Sequence, residues 1–214
     1  MLNRRDFSCW VAGSAAAMAA GAAMAQSAPI AGKHYTRLPR QLAVASADKI
    51  DVIEFFWYGC PHCNAFEPAL EPWVKALPPD VAFRRVPVAF RAEPFVAHQK
   101  LYYALEALGQ VEALHGKVFA AIHGGGRRLD KLADISAFVA SHGVDAKKFA
   151  DVYDSFQVQS KVRQAKQLSE AYDIDGVPAL GVHGRFYTSG TQAGPAQNML
   201  KVADYLIAQV RASR

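Results

Sequence analysis

The feature that most constrains the fold is an apolar stretch that ends in two closely spaced cysteines, Glu54-Phe55-Phe56-Trp57-Tyr58-Gly59-Cys60-Pro61-His62-Cys63. Its first part, together with residues from Ile50, is too apolar and alternates too little for a strand with one face in water. It predicts a strand buried on both faces beneath helices. Pro61 suits the first turn of a helix because its φ is fixed and it has no N–H to lose. We therefore expect both thiols at a strand-to-helix junction.

The spacing of the two cysteines indicates redox chemistry. Two intervening residues on a first helical turn bring the sulfurs close enough to bond, with Cys60 at the exposed end. The backbone N–H groups and the helix dipole there favour negative charge, so we expect a lowered pKa for Cys60. His62 adds a donor or partial positive charge beside that sulfur, and Cys63 is predicted to be a buried resolving thiol. A stabilised Cys60 thiolate favours the reduced form and makes the disulfide a stronger oxidant.

Two other uses of the cysteine pair compete with redox chemistry. Half of a zinc site would need two further ligands, and the sequence has no second cysteine pair. His62 lies between the cysteines and points the wrong way to complete a chelate. The remaining candidates are scattered and are expected at the surface or hydrogen-bonded in the core: His98, His115, His123, His142 and His183. We expect no metal, whereas a purely structural short-loop disulfide stays open.

Length and composition favour one domain, or one domain with an insertion. The chain has 214 residues, of which 51% are hydrophobic, and a core of that size needs no disulfides for stability. The formal net charge is +5 and falls to +4 without residues 1–25, which carry Arg4, Arg5 and Asp6. This modest excess is spread along the chain and predicts a solvated basic surface, not a nucleic-acid-binding face.

Residues 1–25 have the layout of a cleaved secretory signal peptide. A short basic start precedes an Ala- and Gly-rich run from Val11, and Ala23-Met24-Ala25 is a small-x-small cleavage pattern. The apolar run is about 15 residues, short of the ~20 that span a membrane comfortably, so a retained anchor is the weaker alternative. Asn3-Arg4-Arg5-Asp6-Phe7 also resembles a twin-arginine signal, and the export route stays open. Cleavage would remove Cys9 and leave Cys60 and Cys63.

The rest of the chain is predicted to begin and end as α/β with helices between. Strands are expected at 34–38, 50–56, 81–87, 179–182 and 185–188, the last two joined by a tight turn at His183-Gly184. A helix is expected over 64–77, bent or interrupted by Pro68 and Pro72, and a closing helix over 195–210. Strand, helix, strand from 50 to 87 predicts a parallel pair.

Residues 93–172 carry helical periodicity without a strand pattern. Successive helices are expected near 101–108, over 111–122 and 132–139, after a cap at Asp145, and over 156–172. No Pro/Ser-rich linker bounds this segment. We expect a helical insertion that divides one α/β domain into a first part, 26–92, and a second part, 173–214.

Three features together resemble the DsbA family of exported thiol:disulfide oxidoreductases, which have a thioredoxin-like fold. They are Glu-Phe-Phe-x-x-x-Cys-Pro-His-Cys at 54–63, the helical insertion, and Gly176-Val177-Pro178 ahead of the hairpin. The resemblance implies a cis Val177–Pro178 bond against the disulfide, where backbone groups bind an extended substrate peptide. It also matches Glu54 to a buried acid near the second cysteine. A carboxyl in a doubly buried strand should have a raised pKa and could shuttle the Cys63 proton, unless Glu54 sits at a strand edge and reaches solvent.

The predicted function is that of a periplasmic dithiol oxidase, an α/β enzyme that donates its Cys60–Cys63 disulfide to newly exported proteins. The resemblance implies reoxidation by a membrane quinone-linked oxidase such as DsbB. We expect a monomer without a cofactor. The alternatives are a disulfide isomerase or reductase, and a non-catalytic peptide-binding chaperone of the same fold. The aromatic Trp57 and Tyr58 are expected either to line a peptide groove or to pack in the core.

Overall fold

The elements that position the cysteines are five strands and eight helices within residues 28–46 and 48–214, which the computed structural model describes. The predicted signal peptide lies outside these residues. The strands are β1 (Thr36–Arg37), β2 (Ile50–Phe56), β3 (Val81–Pro87), β4 (Ala179–Val182) and β5 (Phe186–Ser189). The helices are α1 (Pro61–Lys75), α2 (Phe95–Ala107), α3 (Val111–His123), α4 (Leu132–Ala140), α5 (Ala146–Tyr153), α6 (Phe156–Ala171), α7 (Gly190–Ala193) and α8 (Ala196–Ala212).

The strands form one mixed sheet in the order β1-β5-β4-β2-β3. β2 pairs in parallel with β3 and antiparallel with β4, so it has a strand on each side. Every residue of β2 is buried, which confirms the prediction of a strand covered on both faces. The parallel pair and the antiparallel β4–β5 hairpin are also confirmed.

The tight turn of that hairpin depends on left-handed backbone. His183 and Gly184 have φ angles of 52° and 65°, and the Arg185 N–H donates to the Val182 carbonyl at 3.0 Å. A Cβ on Gly184 would collide with the backbone of Leu42. Glycine is therefore required here both for its φ and for the close approach of the neighbouring chain.

The side chains of β2 supply two separate cores because they alternate between the faces of the sheet. Ile50 and Val52 pack with α1 and α8 on one face. Ile53 and Phe55 pack on the other face with residues of the long helical segment. The cysteines contribute to this second core, since both belong to the same buried cluster as Phe55.

Three details differ from the sequence-based expectations. β1 covers only Thr36–Arg37, whereas the pattern predicts a strand over 34–38. α1 runs from residue 61 to 75 without interruption at Pro68 or Pro72. Both prolines are exposed, so the carbonyls that lose a helical partner lie on the side of the helix open to water. The short α7 was not predicted.

Five helices, α2 to α6, lie between β3 and β4 in the chain. The described residues from 88 to 178 contain no strand, as the absence of strand periodicity predicts. α5 begins at the predicted cap, where the Asp145 carboxylate accepts from the Lys148 N–H at 2.7 Å. The division into 26–92, 93–172 and 173–214 stays a prediction about domain limits.

Candidate active site

The junction between β2 and α1 presents the cysteine pair. Cys60 occupies the N-cap of α1 with extended backbone, and Pro61 takes a first-turn position. The Cys60 N–H donates to the Trp57 carbonyl at 3.0 Å and closes the connecting turn. Proline at this position forfeits no helical hydrogen bond, because first-turn N–H groups have no partner inside the helix.

The two sulfurs differ in their surroundings. Both are free thiols in this structure, with Cys60 7% exposed and Cys63 0% exposed. As a thiol, Cys60 donates to the Val177 carbonyl at 3.4 Å. Cys60 is therefore nearly covered but keeps a small exposed edge, and Cys63 is fully closed off.

These surroundings move the two thiol pKa values in opposite directions. A hydrogen bond from Cys63 lowers the pKa of Cys60 to about 6 against the effect of burial, with help from the amides of Cys63 and His62 and from the His62 charge. Burial raises the pKa of Cys63 well above its usual value, and the Cys60 sulfur and the Glu54 charge add to the effect. Near neutral pH, Cys60 is a thiolate and Cys63 holds its proton.

His62 acts on Cys60 less strongly than its neighbouring cysteine does. Its side chain is exposed and lines a groove beside the cysteines. The backbone amide and the charge of His62 both lower the Cys60 pKa, as expected, but the Cys63 thiol contributes most. Pro61 and His62 belong to the first turn of α1, directly after Cys60. That they take part in the reaction stays a prediction.

Glu54 lies in the interior of the sheet and is 0% exposed, so the alternative of a strand-edge carboxylate that reaches solvent is wrong. It faces Arg85 in the parallel register, and Arg85 Nε lies 2.9 Å from Glu54 Oε2. The angles of this contact do not make a hydrogen bond, and neither Glu54 oxygen has another partner. Burial, together with the charge of Glu67, raises the pKa of Glu54 to about 8 although Arg85 opposes it.

The Val177 carbonyl lies against the Cys60 sulfur, and the Val177–Pro178 peptide bond is cis, as the resemblance implies. Both residues form part of a groove of about 490 Å³ that extends from the first turn of α1 to α8. Its lining includes His62, Phe66, Val177, Pro178, Pro195 and Met199. An apolar wall with backbone groups beside the reactive sulfur suits an extended peptide.

The aromatic residues ahead of the cysteines pack in the core and do not line this groove. Tyr58 is 0% exposed, and the Trp57 ring stacks on Phe95 with centroids 4.1 Å apart. Of the two expectations for these side chains, core packing is confirmed. The predicted absence of a metal stays a prediction, although residues 28–46 and 48–214 hold no cluster of ligands suited to one.

Three polar residues near the cysteines were not predicted as part of the site: Glu67 and His115, which are buried, and Arg85, which is half-buried. Glu67 lies one helical turn after Cys63, a spacing that places both on one face of α1. Arg84 and Arg85 are neighbours on β3, so one of them must point towards each face of the sheet. These two patterns were available in the sequence. His115 carries no such signal, because its contacts join segments far apart in the chain.

A family model described as a DSBA-like thioredoxin domain matches residues 51–206. The chain belongs to this family. It is a thiol:disulfide oxidoreductase with a thioredoxin-like fold, as the Cys-Pro-His-Cys motif and the resemblance imply. Within residues 28–46 and 48–214, no helix of this family member is long and apolar enough to cross a membrane.

This chain is similar to individual members of the family along most of its length. The chain is 43% identical to a thiol:disulfide interchange protein DsbA of Azotobacter vinelandii, over 86% of this chain and 85% of that protein. It is 45% identical to a Bordetella parapertussis protein of the same name, over 92% and 95%. The crystal structure of Pseudomonas aeruginosa DsbA superposes with a TM-score of 0.83 at 40% identity, over 86% of this chain and 96% of that one.

Proposed function

We propose that the protein is a periplasmic dithiol oxidase that transfers the Cys60–Cys63 disulfide to newly exported proteins. The observation that carries this proposal is the asymmetry of the two thiols. Cys60 has a pKa of about 6 at the edge of the site, and Cys63 is buried with a raised pKa. A stabilised Cys60 thiolate favours the reduced form of the pair, which makes the disulfide an oxidant.

In the first step, a substrate thiolate attacks the Cys60 sulfur of the oxidised protein. The Cys60–Cys63 bond breaks, a mixed disulfide forms, and Cys63 departs with the bonding electron pair. Cys63 then needs a proton, because burial disfavours its thiolate. Glu54 is proposed to carry that proton, since it is buried nearby and its pKa is about 8.

In the second step, another substrate thiolate attacks the substrate's own sulfur in the mixed disulfide. Cys60 leaves as a thiolate, and its low pKa makes it a good leaving group. The products are an oxidised substrate and the reduced cysteine pair. A membrane quinone-linked oxidase of the DsbB type is proposed to restore the disulfide, and the working form is proposed to be a monomer.

Substrate peptides are proposed to bind in extended form against Val177 and Pro178. The Val177 carbonyl oxygen lies 3.4 Å from the Cys60 sulfur, so a peptide bound there would lie beside the attacked sulfur. The adjoining groove, lined by Phe66 and Met199, offers apolar contact to neighbouring substrate side chains. Pro61 and His62 are proposed to fix the first turn that presents Cys60.

Trapping of mixed disulfides tests this function. Cys63→Ser, expressed with its own N-terminal segment in a secreting bacterium, should accumulate adducts with exported proteins that a reductant dissolves. The matched control is the double variant Cys60→Ser with Cys63→Ser, which should form none. An absence of adducts from the single variant would contradict the proposal.

Equilibration with glutathione separates an oxidase from a reductase of the same fold. We expect the Cys60–Cys63 disulfide to be reduced at glutathione ratios that leave ordinary structural disulfides intact, because the Cys60 thiolate stabilises the reduced form. A pair that stays oxidised in strongly reducing buffer would indicate a reductase instead.

A further inference from the structure

A continuous chain of polar side chains, all buried except the half-buried Arg85, runs behind the cysteines and links four elements of the fold. Tyr58 Oη lies 2.8 Å from His115 Nδ1, and His115 Nε2 lies 3.3 Å from Glu67 Oε1. Arg85 Nη2 donates to Glu67 Oε2 at 3.0 Å, and its Nε lies 2.9 Å from Glu54 Oε2. The mechanism above uses only the last member of this chain, Glu54.

The charges of this chain imply one shared proton. Arg85 is always cationic, and it faces two buried carboxyl groups, Glu54 and Glu67. Two carboxylates would leave one uncompensated negative charge in the interior, which is costly. A single proton on one of the two neutralises the group, so the question is which carboxyl carries it.

The hydrogen bonds favour Glu54 as the carrier. Glu67 receives well-directed donors on both oxygens, from His115 and Arg85, and hydrogen bonds to the charged form favour ionisation. Among the described residues, Glu54 has a single donor within reach, Arg85 Nε, which lies 2.9 Å from Oε2 but is poorly aligned, and its other oxygen has none. The pKa shifts agree with this assignment. Burial alone would raise the pKa of Glu67, but His115 and Arg85 outweigh burial and lower it. Burial and the Glu67 charge raise the pKa of Glu54 to about 8.

The tautomer of His115 follows from its two neighbours. Burial lowers the pKa of His115, which leaves the ring neutral, with a single N–H, near pH 7. The Glu67 carboxylate can only accept, so that proton resides on Nε2 and donates to Glu67. Nδ1 is then an acceptor, and the Tyr58 hydroxyl donates to it, since burial raises the pKa of Tyr58 and keeps it protonated. Each member of the chain therefore has one direction of donation.

We propose that His115 is a positioning residue that keeps the shared proton on Glu54 by holding Glu67 as the hydrogen-bonded carboxylate. The inference rests on the proposed function in taking Glu54 as the proton carrier for Cys63. When substrate attacks Cys60, the departing Cys63 takes the proton from Glu54, and Glu54 then regains a proton from solvent, because Arg85 can balance only one of the two carboxylates. Reoxidation reverses these steps: Glu54 releases its proton to solvent and takes the proton that Cys63 loses.

Other ionisable groups act on this chain from the elements packed around it. The charge of Glu71 on α1 acts on His115, and that of Glu106 on α2 acts on Tyr102, which in turn acts on Arg85 and Tyr58. Burial raises the pKa of Tyr102 far above neutrality, so it does not exchange protons in the working range. Within the described residues, the shared proton is therefore held by one of the two carboxyl groups that Arg85 joins, those of Glu54 and Glu67.

The test is a carbon-13 NMR titration of the Glu54 and Glu67 side-chain carboxyl groups in the reduced protein. In the unmodified protein we expect Glu54 to titrate near pH 8 and Glu67 to stay ionised to acid pH. In His115→Phe the Glu67 midpoint should rise and the Glu54 midpoint should fall, each by about one pH unit, a tenfold change in proton affinity. Unchanged midpoints in folded His115→Phe would overturn the proposal.

Two further variants serve as controls. His115→Gln keeps a donor for Glu67 and an acceptor for Tyr58, so it should restore midpoints near the original ones. His123 lies on the same helix and contacts the Tyr58 carbonyl at 2.8 Å, but it has no hydrogen bond to either carboxyl. His123→Phe should leave both midpoints in place, and a shift equal to that of His115→Phe would assign the effect to packing.

One measurement needs no substitution and covers the case in which His115→Phe does not fold. Nitrogen-15 NMR of the imidazole should show the neutral Nε2–H tautomer of His115 between about pH 6 and 8, the range in which an unperturbed histidine titrates. A cationic ring or an Nδ1–H tautomer would overturn the proposal. Neither NMR result depends on oxidase activity, so a failure of the mixed-disulfide test and a failure here are distinguishable.

Discussion

Glu54 on β2 and Arg85 on β3 face one another across a parallel strand pair, with Arg85 Nε 2.9 Å from Glu54 Oε2. The contact joins a carboxyl group to a guanidinium, yet its angles do not make a hydrogen bond. Proximity to Arg85 favours the ionised form of Glu54, while burial and the Glu67 charge oppose it more strongly. The result is a carboxyl group that can exchange a proton near neutral pH.

The stability of Glu54→Gln relative to the unmodified reduced protein should depend on pH. The pKa of Glu54 is about 8 in the folded state and 4.5 ordinarily. Between these values the folded protein holds a proton that the unfolded chain has released, so this group's contribution to stability falls as pH rises. The free energy of unfolding of Glu54→Gln minus that of the unmodified protein should therefore increase from pH 4.5 to 8.

Denaturant titrations of both proteins across that pH range measure the difference. A difference that stays flat, or one that decreases with pH, would show that Glu54 is ionised throughout and would remove it as a proton carrier. An increase of this difference with pH requires a carboxyl group whose pKa is raised by folding. A carboxyl group whose pKa is lowered by folding would contribute stability that grows with pH, and the difference would then decrease.

The ultraviolet absorbance of the thiolate should report the ionisation of Cys60 in the reduced protein. We expect a transition centred near pH 6, because the Cys63 hydrogen bond and the backbone amides of the first turn stabilise the sulfur anion. Cys60→Ser should lose this transition, since burial keeps Cys63 protonated to higher pH. A midpoint near the unperturbed value of about 8.5 would contradict the proposed leaving-group role.

Gly184→Ala should destabilise the hairpin that carries β4 and β5. A side chain there must adopt a φ of 65° and meets the Leu42 backbone. Left-handed backbone alone costs a non-glycine residue about 1–3 kcal/mol, and the collision adds to it. Gly143→Ala is the matched control, since Gly143 has a φ of 85° but no atom within 4 Å of an added Cβ.

Thermal or denaturant unfolding of the two glycine variants compares the costs. The loss for Gly184→Ala should exceed that for Gly143→Ala, because only the former combines unfavourable φ with a clash against backbone. Equal losses would mean that the Leu42 segment yields freely and that the contact does not fix the hairpin.

Much of the fold followed from local patterns. The apolar run to Phe56, Pro61 at a first turn and His183-Gly184 between two short strands each have a local physical cause, so their placement needed no tertiary information. Local patterns could not decide between a bend and an interruption of α1 at Pro68 and Pro72, and the helix runs through both prolines without a break. Whether a lost helical bond can be replaced depends on the surroundings, and both prolines face outward.

The sequence by itself determined the chemistry of the site, because a Cys-Pro-His-Cys motif at a strand-to-helix junction fixes two neighbouring sulfurs and an exposed helix end. Only the tertiary structure decided how protons are held there. Cys63 and Glu67 share one face of α1, but Arg85 comes from β3 and His115 from the helical segment. Their hydrogen bonds and charges form across long chain separations, and the pKa of Glu54 depends on that burial and charge balance, not on its neighbours in the sequence.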